Sequence, residues 1–258
     1  MLQLFWEISN NRDLIWALAM KDLRVRYKRS ALGFLWALLN PLLMMVVYTI
    51  VFSTLLGRGM ENYAVFLISG LFPWTFFSQS INYSVSTIVE NGSLIKKVYV
   101  DKSVFPVAAV LANVINFALS LMALVVLLVA LRFPFHWSLV YFPIPVIFLV
   151  LFALGLGFFC SAVNVFFRDV SHIVQILLSA WFYMSGIIFP IDVISEEYQF
   201  LLKINPMLYI IDGFHHAIYY GTPLDMRSMA ISCICSLAVF VAGYMIFRRH
   251  QDTFIYYL

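Results

Sequence analysis

The side chains of this sequence that are placed to do chemistry are aromatic. Tyr48 and Phe52, then Phe72, Trp74 and Phe77 around Pro73, then Trp181 and Tyr183, all lie inside stretches that carry no charge. Aromatic faces stack against the C–H faces of sugar rings, and Tyr and Trp add a polar handle. Packing against neighbouring helices or lipid is the alternative role for each ring. Trp137, Tyr141 and Tyr256 sit at the ends of such stretches, where interfacial anchoring is expected. Pro73 removes one backbone hydrogen bond and is expected to kink its helix.

Other chemistry is sparse. His215-His216 with Asp212 comes nearest to a catalytic or metal constellation. Adjacent histidines on a helix diverge by about 100°, which argues against shared ligation, so no metal site is expected. His172, at the inner end of its stretch, suits a structural hydrogen bond better than a proton relay. Coupled transport needs an ionisable group at membrane depth, and a membrane hydrolase needs a nucleophile, a carboxylate pair or a metal. The centres of the apolar stretches hold none of these. The pattern G-x-x-x-x-G-K-[ST] is missing, so the chain is expected to be no ATPase by that route and to hold no cofactor. Cys160, Cys233 and Cys235 fall in apolar runs and read as small hydrophobes.

The elements that must position the rings are legible from charge. Residues 30–57, 62–89, 103–131, 133–167, 170–191 and 228–247 contain no Lys, Arg, Asp or Glu. A helix needs about 20 apolar residues to cross the ~30 Å hydrocarbon core. Only 11% of the chain is charged and 63% is hydrophobic, which excludes an ordinary soluble domain. The expected fold is therefore an all-α membrane protein. A single domain over 1–258 holds six spans, at 33–57, 62–88, 104–131, 139–166, 171–190 and 228–247.

Orientation follows from the cations. With alternating crossings, Arg12, Lys21, Arg24, Arg26, Lys28, Arg29, Lys96, Lys97, Lys102, Arg168, Arg248 and Arg249 share one side. The other side keeps Arg58, Arg132, Lys203 and Arg227. The positive-inside rule predicts that both termini are cytoplasmic. The net charge of +3 then reflects orientation signals, and no nucleic-acid partner is expected.

Three segments remain. Residues 10–29 predict an amphipathic helix at the inner surface, with Trp16, Met20, Leu23 and Tyr27 along one arc and Lys21, Arg24 and Lys28 on its flank. Asp22 and Arg26 are spaced to pair at i,i+4. The first 29 residues lack the apolar core of a signal peptide. The loop 90–101 predicts one or two helical turns capped by Asn91 or Ser93, with Leu94, Ile95 and Val98 on one side and Lys96 and Lys97 on the other. Residues 191–224 are too short and too polar to span, and suit re-entrant or interfacial helices on the outer side.

Five stretches follow one another along the chain: Arg12-Asp13-Leu14-Ile15 with Lys21 to Lys28, Ser30 to Trp36 running to Asn40-Pro41, Gly70 to Phe77, Asn164 to Val170, and Asn205-Pro206-Met207. Together they resemble the membrane subunits of ABC-2-type polysaccharide exporters, which serve O-antigen, capsular polysaccharide and teichoic acid; the O-antigen branch looks closest. The resemblance implies a homodimer beneath which two copies of a separate ATP-binding cassette subunit dock, with ATP and Mg bound there. It implies an interface helix at 10–29, coupling through Leu94, Ile95, Lys96, Lys97 and Val98, and outer gate helices in 191–224. The implied substrate is a glycan on undecaprenyl diphosphate in the plasma membrane. Its pyrophosphate would meet Arg24, Arg26, Lys28 or Arg29, and its sugars would pass the rings. An ABC-2 permease for a drug or other lipid-like solute, and a membrane enzyme of lipid-linked sugar metabolism, are the alternatives.

Overall fold

The computed structural model describes residues 2–28, 30, 32–55 and 61–258. All regular structure among them is helical: α1 (Leu2–Asn10), α2 (Arg12–Tyr27), α3 (Trp36–Leu55), α4 (Tyr63–Glu90), α5 (Gly92–Lys97), α6 (Val104–Ala130), α7 (Pro143–Phe166), α8 (Val170–Tyr183), α9 (Glu196–Lys203), α10 (Pro206–His215) and α11 (Met226–His250). Four helical segments, Tyr63–Lys97, Val104–Ala130, Trp137–Phe166 and Met226–Tyr256, are long and apolar enough to cross a membrane among the described residues. The 20-residue α3 is also free of charge.

Helix α4 is the hub of the bundle. It touches α3, α6, α7, α8 and α10, and its residues from Val65 to Trp74 are all buried. Pro73 lies within it, yet the helix runs through without a break. The most extensive pairing joins α7 to α11, where the two backbones cross at Gly155 and Gly243. A Cβ on Gly243 would stand 2.0 Å from the Gly155 carbonyl oxygen. Small residues at such crossings let apolar helices pack by close backbone contact, the main attraction available where lipid is as apolar as Leu.

The expected fifth span is cut short. Helix α8 ends at Tyr183 after 14 residues, about 21 Å of rise, and a non-helical segment follows to Pro190. Ser185, Ile187 and Ile188 of that segment are buried, and several of its carbonyls are met by side chains. Tyr63 Oη donates to the Ile188 carbonyl at 2.8 Å, and Asn205 Nδ2 donates to the Met184 carbonyl at 2.9 Å. Asn205 also caps α10, its Oδ1 accepting from the Met207 N–H at 2.9 Å, with Pro206 at the first helical position.

Long-range contacts define the two ends of the bundle. At one end Glu7 is ion-paired to Arg248, Asn11 reaches Asp101 at 3.3 Å, and Arg168 reaches the Tyr257 carbonyl at 3.1 Å. At the other, Ser138 bonds the Ala217 carbonyl and Tyr219 bonds the Glu61 carbonyl. The cation-rich segments α2, α5 and the end of α11 thus gather at one end.

Helix α2 lies against α6 through Ile15, Leu18, Ala19 and Leu23. The arc expected from sequence is divided by this packing, because Trp16 stays exposed while Leu23 is buried. Asp22 and Arg26 form no ion pair among the described residues, since Arg26 turns instead to α6 and α4. Burial pushes the Asp22 carboxyl above its ordinary value against the opposing pull of Lys21 and Arg26.

Candidate functional site

Helices α3, α4 and α8 enclose a cleft of about 440 Å³. Tyr48 of α3 stacks on Phe182 of α8 with ring centroids 5.7 Å apart, and Trp74 of α4 meets the same ring at 5.7 Å. Tyr183 stands at its edge, 57% exposed, whereas Trp74 forms its floor and is 6% exposed. Between the rings lie neutral polar side chains: Thr75, Ser78 and Asn82 from α4, and Gln175 and Ser179 from α8. The hydroxyls donate back to their own helices, Thr75 to the Leu71 carbonyl at 2.8 Å and Ser179 to the Gln175 carbonyl at 2.9 Å. Their lone pairs still accept, and the Asn82 and Gln175 side-chain amides have no partner among the described residues. Rings, hydroxyls and amides, with no carboxylate, imidazole or cation among them, can bind a polyhydroxylated chain.

The expected aromatic path therefore separates into groups. Tyr48, Trp74 and Tyr183 share the cleft. Phe77 is fully buried, sandwiched between Phe152 and the edge of Trp181. Trp181 is tied down as well, its indole N–H donating to Asn205 Oδ1 at 2.7 Å. Phe77 is wholly enclosed, whereas Trp181, with its N–H used, also faces an apolar cavity of about 550 Å³ between α4, α7 and α8. Phe72 faces away, toward a different cavity. The side chain of Phe52 lies outside the described residues. The polar residues of the cleft were missed from sequence, although Leu71, Thr75, Ser78 and Asn82 repeat at the 4-3-4 spacing of one helical face.

That different cavity, about 230 Å³, lies between α2, α3, α4 and α6. Arg26 Nη1 donates to Asn113 Oδ1 at 3.0 Å, and its guanidinium sits 3.8 Å over the Tyr83 ring. The Arg26 Nε is buried with no partner. Asn40, Gln79 and Phe72 complete the wall. A guanidinium held by an amide and a ring, with no carboxylate paired to it among the described residues, can receive an anionic group. Arg24 on the same helix and Lys28 just after it are exposed, and Arg29 lies outside the described residues.

Helix α5 is anchored more firmly than its sequence suggests. Ile95 is buried with Ile88, Val104, Phe105 and Phe254, and Leu94 packs beside it. Ile95 therefore cannot face a partner without leaving that core. Lys96, Lys97 and Val98 are exposed. Lys21 bonds Asn91 Oδ1 at 3.1 Å and so ties α2 to the start of α5.

His215 is fully enclosed. Its ring stacks on Phe66 at 4.1 Å, Nδ1 lies 2.8 Å from Ser69 Oγ, and Nε2 lies 3.2 Å from the Gly186 carbonyl. His216 turns away to Thr222, 2.7 Å from its hydroxyl, and to Asp212 at 3.6 Å. No cluster of three potential metal ligands occurs among the described residues.

Comparison with known proteins gives this arrangement its context. The chain is 33% identical, over 98% of both chains, to the O-antigen export system permease protein RfbA of Myxococcus xanthus. It is 32% identical to the RfbA protein of Klebsiella pneumoniae, over 94% of this chain and 93% of that one. It is 24% identical to the polysialic acid transport protein KpsM of Escherichia coli, over 93% and 94%. The family model described as ABC-2 type transporter matches residues 13–219, from the second residue of α2 to the last turn before α11. With that span matched and relatives aligned nearly end to end, the chain belongs to the ABC-2 type transporter family.

Proposed function

We propose that this chain is the membrane subunit of an ATP-driven exporter that moves an undecaprenyl-diphosphate-linked polysaccharide, of the O-antigen kind, across the plasma membrane. The observation that carries the proposal is the charge-free cleft of rings, hydroxyls and amides between α3, α4 and α8. The names of the relatives support the same substrate class. The sugars pass Tyr48, Trp74 and Tyr183, and the lipid pyrophosphate meets Arg26 with Arg24, Lys28 and Arg29 nearby. Energy enters through two copies of a separate ATP-binding cassette subunit, which hold ATP and Mg and dock on α5 at Lys96, Lys97 and Val98.

The chain crosses the membrane six times with both termini cytoplasmic. α8 and the buried segment 184–190 together make the fifth crossing, because non-helical backbone is tolerated at membrane depth where protein encloses it. α2 is the interface helix, and α9 and α10 form the outer gate. Two copies pair along α3 and α8, whose Leu43, Val47, Ile50, Ile173 and Ile176 are exposed and apolar. The second copy then closes the cleft into a path.

Deletion of the gene should leave lipid-linked glycan inside the cell, and the wild-type gene should restore it to the surface. Arg26→Gln should restore less than Arg24→Gln at equal protein level, because only Arg26 lines the polar cavity. Unchanged surface polysaccharide in the deletion strain would overturn the proposal and favour a drug or lipid-like solute.

A further inference from the structure

The cavity against Arg26 is equipped for more than an anion. Its described lining holds one cation, Arg26, and no carboxylate. The guanidinium is held from one side. Nη1 donates to Asn113 Oδ1 at 3.0 Å and the Tyr83 ring lies 3.8 Å away, while Nε has no partner among the described residues. Asn113 is 1% exposed and gives its own Nδ2 to the Ala109 carbonyl at 2.9 Å, so its oxygen is fixed as the acceptor for Arg26. Asn40 of α3 and Gln79 of α4 share the wall, and their side-chain amides have no hydrogen-bond partner among the described residues.

A phosphate alone uses the guanidinium and leaves both amides idle. Each amide offers two donors and an acceptor oxygen, which is what adjacent ring hydroxyls require. At about 230 Å³ the cavity is smaller than the usual small-molecule pocket of about 300–1,000 Å³, so it takes one unit and not an oligosaccharide. Thr75 lines both this cavity and the aromatic cleft, so the two adjoin on α4 and the rest of a chain has somewhere to go. We propose that the cavity reads the junction of the substrate, the phosphate together with the first sugar bonded to it. Arg26 Nε meets a phosphate oxygen, Asn40 and Gln79 meet hydroxyls of the sugar, and Asn113 is a positioning residue that keeps the guanidinium turned to the phosphate. The inference rests on the export reading above and deepens it, since the chain then selects a glycosyl phosphate over a bare polyprenyl phosphate.

The test uses the detergent-solubilised full chain with its ATP-binding partner. One probe is the radiolabelled lipid-linked glycan that accumulates in the deletion strain. The other is the polyprenyl diphosphate that mild acid frees from it by hydrolysing the sugar–phosphate bond. Wild type should bind the intact molecule more tightly. Arg26→Gln should weaken both probes about tenfold or more, the loss of a hydrogen bond to a charged group. Asn40→Ala with Gln79→Ala should weaken the intact molecule about tenfold and leave the affinity for polyprenyl diphosphate unchanged. Asn113→Asp, nearly isosteric, sets a carboxylate on the guanidinium. It should weaken both probes without lowering the melting temperature, and add nothing in the Arg26→Gln background, where a merely structural role would still show. An amide variant that weakens both probes equally, or neither, would overturn the junction site. Independent losses from Asn113→Asp and Arg26→Gln would remove Asn113 from its positioning role. Failure of wild type to bind either probe would take the export reading with it, whereas equal binding of both sinks only the junction.

Discussion

Trp74 and Trp181 lie seven residues from the middle of their charge-free runs or closer, and no property of the residue itself separates them. Their neighbours do. Trp181 spends its N–H on Asn205, while Trp74 floors an open cleft beside Phe182 and Tyr183. Trp74→Ala and Tyr183→Ala should each slow glycan export, whereas Trp137→Ala, at an exposed turn, should leave it near wild type. A lost stacking face costs about 0.5–1.5 kcal/mol, which is up to about tenfold in rate. Surface polysaccharide measured at equal protein level checks this, and full export by the Trp74/Tyr183 double variant would make both rings packing groups. Phe77→Ala should behave differently, lowering the amount of folded protein, since emptying a buried Phe site costs about 3–5 kcal/mol. The aromatic positions were thus legible in the sequence. The side each ring faces was not, because the polar residues of α4 are uncharged and its sequence does not say which neighbouring helix each face meets.

Two elements carry consequences of their own. The crossing of α7 and α11 leaves no volume at Gly155 and Gly243. Gly243→Ala should lower the melting temperature of the detergent-solubilised protein, with an overpacking cost of about 1–3 kcal/mol. A melting temperature equal to wild type would show that the helices separate at little cost. Helix α5 divides its residues between two tasks. Ile95 and Leu94 hold the helix to the core, and Lys96, Lys97 and Val98 are left for contact. Replacing Lys96 and Lys97 with Glu should weaken co-purification with the ATP-binding subunit while leaving the melting temperature unchanged. Ile95→Glu should reduce the melting temperature itself. Equal co-purification of the lysine variant would move the docking surface elsewhere.

For the whole molecule, the gathering of α2, α5 and the end of α11 at one end agrees with the sorting of cations by side. A single cysteine at Glu197 should react with an impermeant thiol reagent in intact cells, and one at Asp252 should react only after lysis. Labelling at Asp252 alone would invert the topology. The same arrangement separates two polar cavities along the bundle, one against Arg26 and one at Lys203 and Arg227, with the aromatic cleft served by α4 between its ends.

Charge-free length determined the helical class and its membrane-spanning helices, because the bilayer penalises charge and unpaired backbone regardless of the surrounding fold. Asn205-Pro206 likewise announced the start of α10, since an amide cap followed by a proline acts locally. Tertiary packing decided how α8 could stop inside the bundle. Gly186, at φ +69°, and Pro190 allow the chain to leave the helix, and Tyr63 and Asn205 supply there the hydrogen bonds that lipid cannot. The same is true of the cleft. Thr75, Ser78, Asn82, Gln175 and Ser179 are too few and too neutral to mark a site within their own helices, and they become one when α4 and α8 are set side by side.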